Sequence, residues 1–385
     1  MIRVYTQQDQ GQGWLRRYWG HRPRLACILG FTETGLIPGI SAAGITSSDR
    51  QTTAIADVEF LHHGVSTSPK YPLPVLTAGV SPAIIARAII AAQRIPLTIF
   101  NAGLPIPPTV PHIDLQGVPA ACLTSGQALP RATVESLFRQ GLGWGHRLGN
   151  EADAGYLVLG ECVVGGTTTA LALLLGLGVP ALGKVGSSHL ACNHNQKQTV
   201  VTQGLKQWQQ HLRENDPFDP LDLVAAVGDP MQVVVAAMAL TASCHSGVLL
   251  AGGTQMLAVY ALARALAAHH HIPWQPERIT VGTTRWVAED PTCDTVGLTR
   301  LIGDVPLLAT QLSFANSRHE PLQHYEAGYV KEGVAAGGCA IAAHLYQNWQ
   351  QPQLLSAIET LFEAWATQQP LAPTTKSPQI ASTSE

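Results

Sequence analysis

Apolar positions along this chain fall into short unbroken runs, and several of these runs hand over to stretches with helical spacing across a Gly- or Pro-containing turn. Leu25–Gly30 (LACILG) predicts a first buried strand, and Ala56–Leu61 a second. Pro82–Gln93 places apolar residues at helical intervals behind a starting Pro and predicts a helix. Pro96–Asn101 predicts a third strand, and the Pro-rich LPIPPTVPH after it has to be a connection. Thr133–Gln140 predicts a helix, and Tyr156–Leu159 a strand running into Gly160-Glu161. A helix over Thr168–Leu177 follows the next Gly/Thr loop, and the polar, amphipathic Lys197–Arg213 predicts a surface helix. The same rhythm returns twice more: strand Leu223–Val227, turn Gly228-Asp229-Pro230 and helix Met231–Thr241, then strand Gly247–Ala251 and helix Thr254–Ala268. Such alternation predicts an α/β fold, a doubly wound parallel sheet with a smaller helical subdomain.

Two apolar stretches, Val163–Leu182 and Val233–Ala268, are long enough to be weighed as membrane spans. Gly, Pro, Ser and Thr interrupt both before about 18 apolar residues accumulate. Near-continuous apolar runs are expected in the buried elements of a parallel sheet. The 385 residues predict a single unit over 1–366, and no internal repeat is visible. Within it, about 1–150 is expected to carry the small subdomain and about 151–366 the core that holds the chemistry. The polar Pro/Ser/Thr stretch over 367–385 predicts a disordered tail.

Charge narrows the function classes. Only 13 % of residues are charged and the net charge is -3, with no basic cluster beyond Arg16-Arg17. That is no nucleic-acid footprint and no polybasic membrane anchor. The N-terminus lacks the apolar segment of a signal peptide, so a cytoplasmic location is expected. Seven widely spaced cysteines with no C-x-x-C pair predict small buried thiols, not a disulfide framework or a zinc ribbon.

Chemistry concentrates in three segments. In Tyr156–Ala170 a strand leads through Glu161 and a loop containing Gly165 and Gly166 into an Ala/Leu helix. Free amides and the positive end of the dipole at such a helix start suit a phosphate, and Thr167 and Thr168 add hydroxyls. A merely capped helix would look much the same, but a carboxylate in an apolar strand-to-loop junction is costly unless it is bonded or used. Next, Gly178–Lys184 nearly fits a triphosphate-binding loop, yet Val185 stands where a hydroxyl should hold magnesium, and a helix precedes it. Gly186-Ser187-Ser188 offers a second anion-cradling turn, and Lys197 either neutralises phosphate charge or is a solvated helix residue. Finally, Lys331-Glu332-Gly333 precedes a small-residue helix, where Glu332 is either a first-turn carboxylate favoured by the dipole or a base facing a cavity. The 15 histidines include His62-His63 and His269-His270-His271 but no pair at metal-binding spacing with a carboxylate, and no G-x-S-x-G elbow occurs. No metal and no cofactor is expected.

Taken in order, these segments resemble one family. Gly160-Glu161-x-x-x-Gly165-Gly166-Thr167-Thr168-Thr169-Ala170 is similar to the GE-x-x-x-GNTT-x-A loop of the nicotinate-nucleotide:dimethylbenzimidazole phosphoribosyltransferases. Gly228-Asp229-Pro230, the run Gly247–Thr254, the expected loop Val281–Pro291 and Lys331–Gly337 fall where that family has further motifs, so about half the chain is covered. Thr32–Gly35 and Ile37–Gly44 resemble an archaeal and cyanobacterial branch of the superfamily. The resemblance implies a homodimer that transfers the phosphoribosyl group of nicotinate mononucleotide to a benzimidazole-type base during assembly of the lower ligand of cobalamin. It implies Glu332 as the base that takes the azole proton and Glu161 at the ribose. Gly165, Gly166, Thr167, Thr168, Gly186, Ser187, Ser188, Lys197, Thr284 and Gly333 would hold the substrates. The sequence departs from the family at Gly166 (Asn there), at Ala251 (Asp there) and at His62-His63-Gly64-Val65, where D-H-G-V is expected. A nucleotide-binding or sensing protein on the same fold is the rival reading, against which two carboxylates near an anionic ligand argue.

Overall fold

The computed structural model describes residues 1–368 except 75, 77 and 212–217. The end of the expected Lys197–Arg213 helix and the tail from residue 369 lie outside the described residues. The strands are β1 (Ile2–Val4), β2 (Arg24–Gly30), β3 (Leu97–Gly103), β4 (Ile113–Asp114), β5 (Tyr156–Cys162), β6 (Gly247–Ala251), β7 (Ile279–Thr284) and β8 (Leu307–Thr310). Helices α1 (Gln8–Arg17), α2 (Ser47–His63), α3 (Ala83–Gln93), α4 (Arg131–Glu151), α5 (Gly166–Gly176), α6 (His194–His211) and α7 (Pro220–Val227) come first. They are followed by α8 (Pro230–Ser243), α9 (Thr254–His269), α10 (Arg285–Ala288), α11 (Thr295–Ile302), α12 (Glu320–Gln323), α13 (Ala336–Gln347) and α14 (Gln351–Ala366).

The described strands form one sheet in the order β1-β8-β7-β6-β5-β2-β3-β4, parallel throughout except for β1, which pairs antiparallel with β8. This is the doubly wound α/β sheet that the alternation predicts. Side chains alternate between two cores. Leu157 and Leu159 of β5 face one, with α4, α5, α7, α8 and α9, while Tyr156 and Val158 face the other, with α1, α2, α3, α13 and α14. From β5 the chain winds outward to β6, β7 and β8, and from β2 it winds the other way to β3 and β4. The order reverses between β2 and β5, where open α/β sheets form a crevice at the carboxyl ends of the strands. No described helix is long and apolar enough to cross a membrane.

Two predicted strands are helices instead. Ala56–Leu61 lies inside α2, which starts at a capping box: Thr46 accepts from the Asp49 amide and Asp49 accepts from the Thr46 amide. Every residue from Thr53 to Leu61 is buried, and the alternation of Ala56, Val58 and Phe60 with Asp57 and Glu59 mimics a strand's period of two although both carboxylates are buried in a helix. Leu223–Val227 belongs to α7, which the N-cap Asp219 and Pro220 at its first position initiate. The stretch Val281–Pro291 is no plain loop either, since it comprises the end of β7 and the short α10.

Glycine spacing on α4 sets how closely the layers approach. Gly141, Gly145 and Gly149 recur every four residues on the face against α8. A Cβ at Gly145 would meet Met238 O at 2.3 Å, whereas one at the exposed Gly143 would meet nothing within 4 Å. Gly145→Ala is therefore expected to destabilise the fold by about 1–3 kcal/mol. Gly143→Ala should stabilise it by about 0.5–1 kcal/mol through helix propensity. Denaturant melts of both variants check the pair; equal effects would mean that the stripe does not govern this packing.

Candidate active site

A cavity of about 200 Å³ opens at the crevice between β2 and β5. The loop after β2 lines it through Ser41–Ala43, α2 through Asp57, the end of β5 and the start of α5 through Glu161–Thr167, and the turn Gly186–Ser188 through its backbone and hydroxyls. Gln255 of α9, Asp290, Cys293 and the segment 329–334 before α13 also line it. Glu161, Glu332, Gly165, Gly166, Thr167, Gly186, Ser187, Ser188 and Gly333 thus share one cavity, though the chain separates them by up to 172 positions.

Glu332 is fixed from two directions. Its Oε2 accepts from the Thr283 hydroxyl and the Thr284 amide, both at 3.0 Å, and its Oε1 from the amides of Gly333 at 3.2 Å and Gly337 at 2.9 Å. Four donors match the lone-pair capacity of a carboxylate. Burial still holds its pKa above the usual range, opposed by those same donors. The segment that carries it runs through the left-handed region at Val330, Lys331, Val334 and Ala335, with φ between 50 and 69°. Left-handed valines cost energy, and such strain collects at functional sites.

Glu161 has a sparser shell, with the Val163 amide on Oε2 and the Gln255 side-chain amide on Oε1, each at 3.0 Å. Burial raises its pKa to about 8, with Asp229 and Glu332 adding repulsion. Asp57 is a third buried carboxylate on the wall, held by Ser81 Oγ at 2.6 Å and facing Cys162 Sγ at 3.5 Å. Burial lifts it to about 6. A buried ion pair stands opposite: Lys331 Nζ lies 2.5 Å from Asp290 Oδ2 and donates to the His189 carbonyl at 3.0 Å.

The loop glycines have steric reasons. Gly165 caps α5 with φ 87° and leaves no room for a Cβ, which would sit 2.7 Å from Gly35 Cα. Above Gly166 the space is taken by the Gln255 amide, whose Oε1 would lie 1.9 Å from a Cβ there. Ala251, at the end of β6, packs against Gly338, where a Cβ would come within 2.3 Å of its own.

Three expected site residues do other work. Lys197 is fully buried in the first turn of α6 and donates to the carbonyls of Val185 at 2.8 Å and Gly186 at 2.6 Å. Its ammonium braces the 185–188 turn from behind instead of facing the cavity, and burial lowers its pKa to about 8. Polar neighbours along a helix could not reveal this inward turn. Thr168 is fully buried off the cavity wall, and its hydroxyl has no partner among the described residues. Thr284 uses its amide on Glu332 and its hydroxyl on the Lys331 carbonyl at 2.6 Å, so it positions the carboxylate and does not line the cavity. Ser188 lines the cavity but also accepts the Ala42 amide at 2.9 Å, tying two wall loops together.

Outside the site, Lys184 pairs with Asp294 at 2.6 Å, and Gly178–Lys184 follows the end of α5, not a strand. Gly228-Asp229-Pro230 is structural: Asp229 caps α8 and accepts Thr169 Oγ1 at 2.6 Å, fastening α8 to α5. His63, Gly64 and Val65 line a separate cleft with Tyr71 and Trp365. Among the described residues, Cys192, Asp290 and Cys293 place donor atoms within 4.8 Å of one another, a grouping that could hold a metal, as could Asp219, His269 and His270. In the first group, however, Lys331 already occupies the carboxylate.

A family profile described as Phosphoribosyltransferase matches residues 42–273. A UPF0284 protein of Trichodesmium erythraeum (strain IMS101) is 62 % identical over 365 residues, covering 95 % of this chain and 99 % of the relative. A UPF0284 protein of Microcystis aeruginosa (strain NIES-843 / IAM M-2473) is 58 % identical, covering 94 % and 98 %. Among solved structures, the nicotinate-nucleotide-dimethylbenzimidazole phosphoribosyltransferase from Thermus thermophilus superposes with a TM-score of 0.54 at 17 % identity, over 93 % of this chain and 92 % of that one. CobT from the same organism superposes at 0.56 and 17 %, over 87 % and 89 %. At that identity the likeness shows the fold.

The raised carboxyl pKa values set a pH dependence of stability. Folded Asp57 and Glu161 keep protons that the unfolded chain releases near 4, so their contribution is complete below that pH and is lost as pH rises to about 6 and about 8. The thermal midpoint should fall between pH 5 and 8. Glu161→Gln should flatten the upper part of the fall, recovering on the order of a few kcal/mol at pH 8. Parallel wild-type and variant curves across that window would refute this.

Proposed function

The chain belongs to the phosphoribosyltransferase family, and we propose that it moves the phosphoribosyl group of nicotinate mononucleotide to an aromatic azole base. One observation carries this reading. Glu161 and Glu332 meet in one cavity with the glycine-rich start of α5 and the Gly186–Ser188 turn. Amides at a helix start suit the phosphate. The carboxylates suit the other end of the same nucleotide, because its pyridinium ring and the oxocarbenium-like C1′ of the transition state are both positive.

On this reading the azole nitrogen attacks C1′ as the C1′–N bond to nicotinate breaks, and the bond's electron pair leaves with the pyridine nitrogen. Glu332 receives the proton that the azole loses, giving up one of its four donors as it does so. Glu161 stands by the ribose. With no cation beside it, its carboxyl is mostly protonated at neutral pH, since its pKa is near 8. A cation placed there favours the ionised form. Binding of the positively charged nucleotide should therefore expel a proton and leave a carboxylate ready to stabilise C1′. Asp57, on the α2 side, adds to the same negative field. The Gln255 amide keeps Glu161 oriented in the space above Gly166.

Purified protein should release nicotinate from the mononucleotide only when an acceptor base is present, with benzimidazoles, purines and phenols tested as a panel by chromatography. Glu332→Gln should lower the rate by about 10²–10⁴-fold, and because its amide cannot accept the donors that meet one carboxylate oxygen, the fold of the variant is checked by a thermal melt. If the nucleotide binds yet no base provokes nicotinate release, the protein is a nucleotide binder and Glu332 loses this role. Calorimetry of nucleotide binding at pH 7 in buffers of different ionisation enthalpy should register the release of up to one proton in the wild type and none in Glu161→Gln. A wild-type signal independent of buffer would remove Glu161 from the proposed position.

A further inference from the structure

Cys192 and Cys293 lie in different loops, the first just before α6 and the second between α10 and α11, yet their sulfurs come within 4.8 Å of each other. Both are partly exposed. Thr292 bridges the two loops: its hydroxyl accepts the Cys192 amide at 3.3 Å and lies 3.1 Å from Cys192 Sγ, and its carbonyl meets His194 Nε2 at 2.7 Å. The Cys293 thiol, then Thr292, Ser187 and the charge of Lys197, pull the Cys192 thiol down, while the same contact and burial push Cys293 up. Buried Cys27, Cys162 and Cys339 are pushed up by burial together with neighbouring anions, as befits inert thiols.

The position matters as much as the chemistry. Cys293 forms part of the cavity wall with Gly186, Ser187 and Asp290, and its sulfur sits 3.6 Å from where a Gly186 Cβ would be. The geometry points to Cys192 and Cys293 as a reversible dithiol–disulfide site whose oxidation pins the 186–193 loop to the 290–293 loop and closes down the cavity. An S–S bond of about 2.05 Å asks the sulfurs to approach from their present separation, which drags one wall loop toward the other. The oxidant is a small disulfide such as oxidised glutathione. Cys192 thiolate attacks one of its sulfurs and releases one glutathione thiolate. Cys293 then gives its proton to water, attacks the Cys192 sulfur of the mixed disulfide and releases the second. Two protein thiols are oxidised and one glutathione disulfide becomes two thiols. The effect on nucleotide binding rests on the function proposed above; the cross-link does not.

Full-length protein treated with oxidised glutathione and digested without reduction should yield a peptide pair joining Cys192 to Cys293, two hydrogens lighter than the reduced pair and restored by dithiothreitol. Cys293→Ser should stop the reaction at glutathione on Cys192, and Cys192→Ser should leave Cys293 unmodified. Partly exposed Cys122 and Cys244 serve as internal controls. A wild-type protein that keeps glutathione on Cys192, or that reacts first at Cys122 or Cys244, overturns the site. The oxidised protein should bind nicotinate mononucleotide about 5–150-fold more weakly than the reduced one. Equal affinities would overturn the closure while leaving the cross-link. Failure of the reduced protein to bind the nucleotide at all would count against the proposed function, with the cross-link still read by mass.

Discussion

Much of this architecture depends on the buried carboxylate of Glu332. It binds the end of β7 through Thr283 and Thr284 and the start of α13 through Gly333 and Gly337, so one side chain joins the sheet to the helix that covers it. The two amides on the α13 side belong to a backbone that turns through the left-handed region at Val330, Lys331, Val334 and Ala335. The strain is tolerated where the surroundings over-determine it. Here they do: Gly160, Ala251, Gly337 and Gly338 bring α13 against β5, β6 and β7 with no large side chain between them. A larger residue at any of these glycines would push the helix outward and pull the donors off the carboxylate.

Fixing one carboxylate this way determines what the rest of the cavity can bind. Asp57, Glu161 and Glu332 line a small space, while the nearest wall cation, Lys331, is committed to Asp290. Unpaired anions in a buried site either keep their protons or await a partner. Glu161, with only amide donors around it, shows the first response. A ligand that brings positive charge elicits the second, and a pyridinium riboside carries that charge next to the carbon at which substitution occurs. On the proposed function, the anionic end of such a ligand would meet a different part of the wall, the amides around Gly165–Thr167 and Gly186–Ser188.

The β-strand-to-helix rhythm from β5 to α9, apart from α7, was legible because each apolar run there ended at a turn residue. Glu161 stood out as a carboxylate in an apolar strand-to-loop junction and Glu332 as one immediately before a small-residue helix, and the structure brings both to one cavity wall. Asp57 escaped because ADVEF alternates apolar and charged residues like a half-exposed strand, while the helix in fact buries them all; the cue lay about ten residues earlier in the Thr46–Asp49 capping box. Asp219-Pro220, an N-cap followed by a first-turn proline, was the overlooked sign that 223–227 is helical. Lys197, Thr284, Gln255 and the Asp290–Lys331 pair could not be placed from spacing at all. Their roles depend on contacts between segments from 11 to 94 residues apart, which local sequence does not encode.

The departure at Gly166 has a physical reading that local sequence comparison misses. Gln255 reaches across from α9 into the volume that any side chain at 166 would occupy, and there it donates to Glu161 Oε1. The two positions constrain each other. A side chain at 166 with Gln255 in place would overlap its amide, and a small residue at 255 with Gly166 in place would leave Glu161 short of a donor in a buried site. In this structure Gly166 and Gln255 are therefore coupled: the missing side chain at 166 leaves the volume from which the Gln255 amide holds Glu161. That contact fixes the orientation of a buried carboxyl whose pKa burial has raised to about 8, and so links the glycine at the start of α5 to the protonation of the cavity wall.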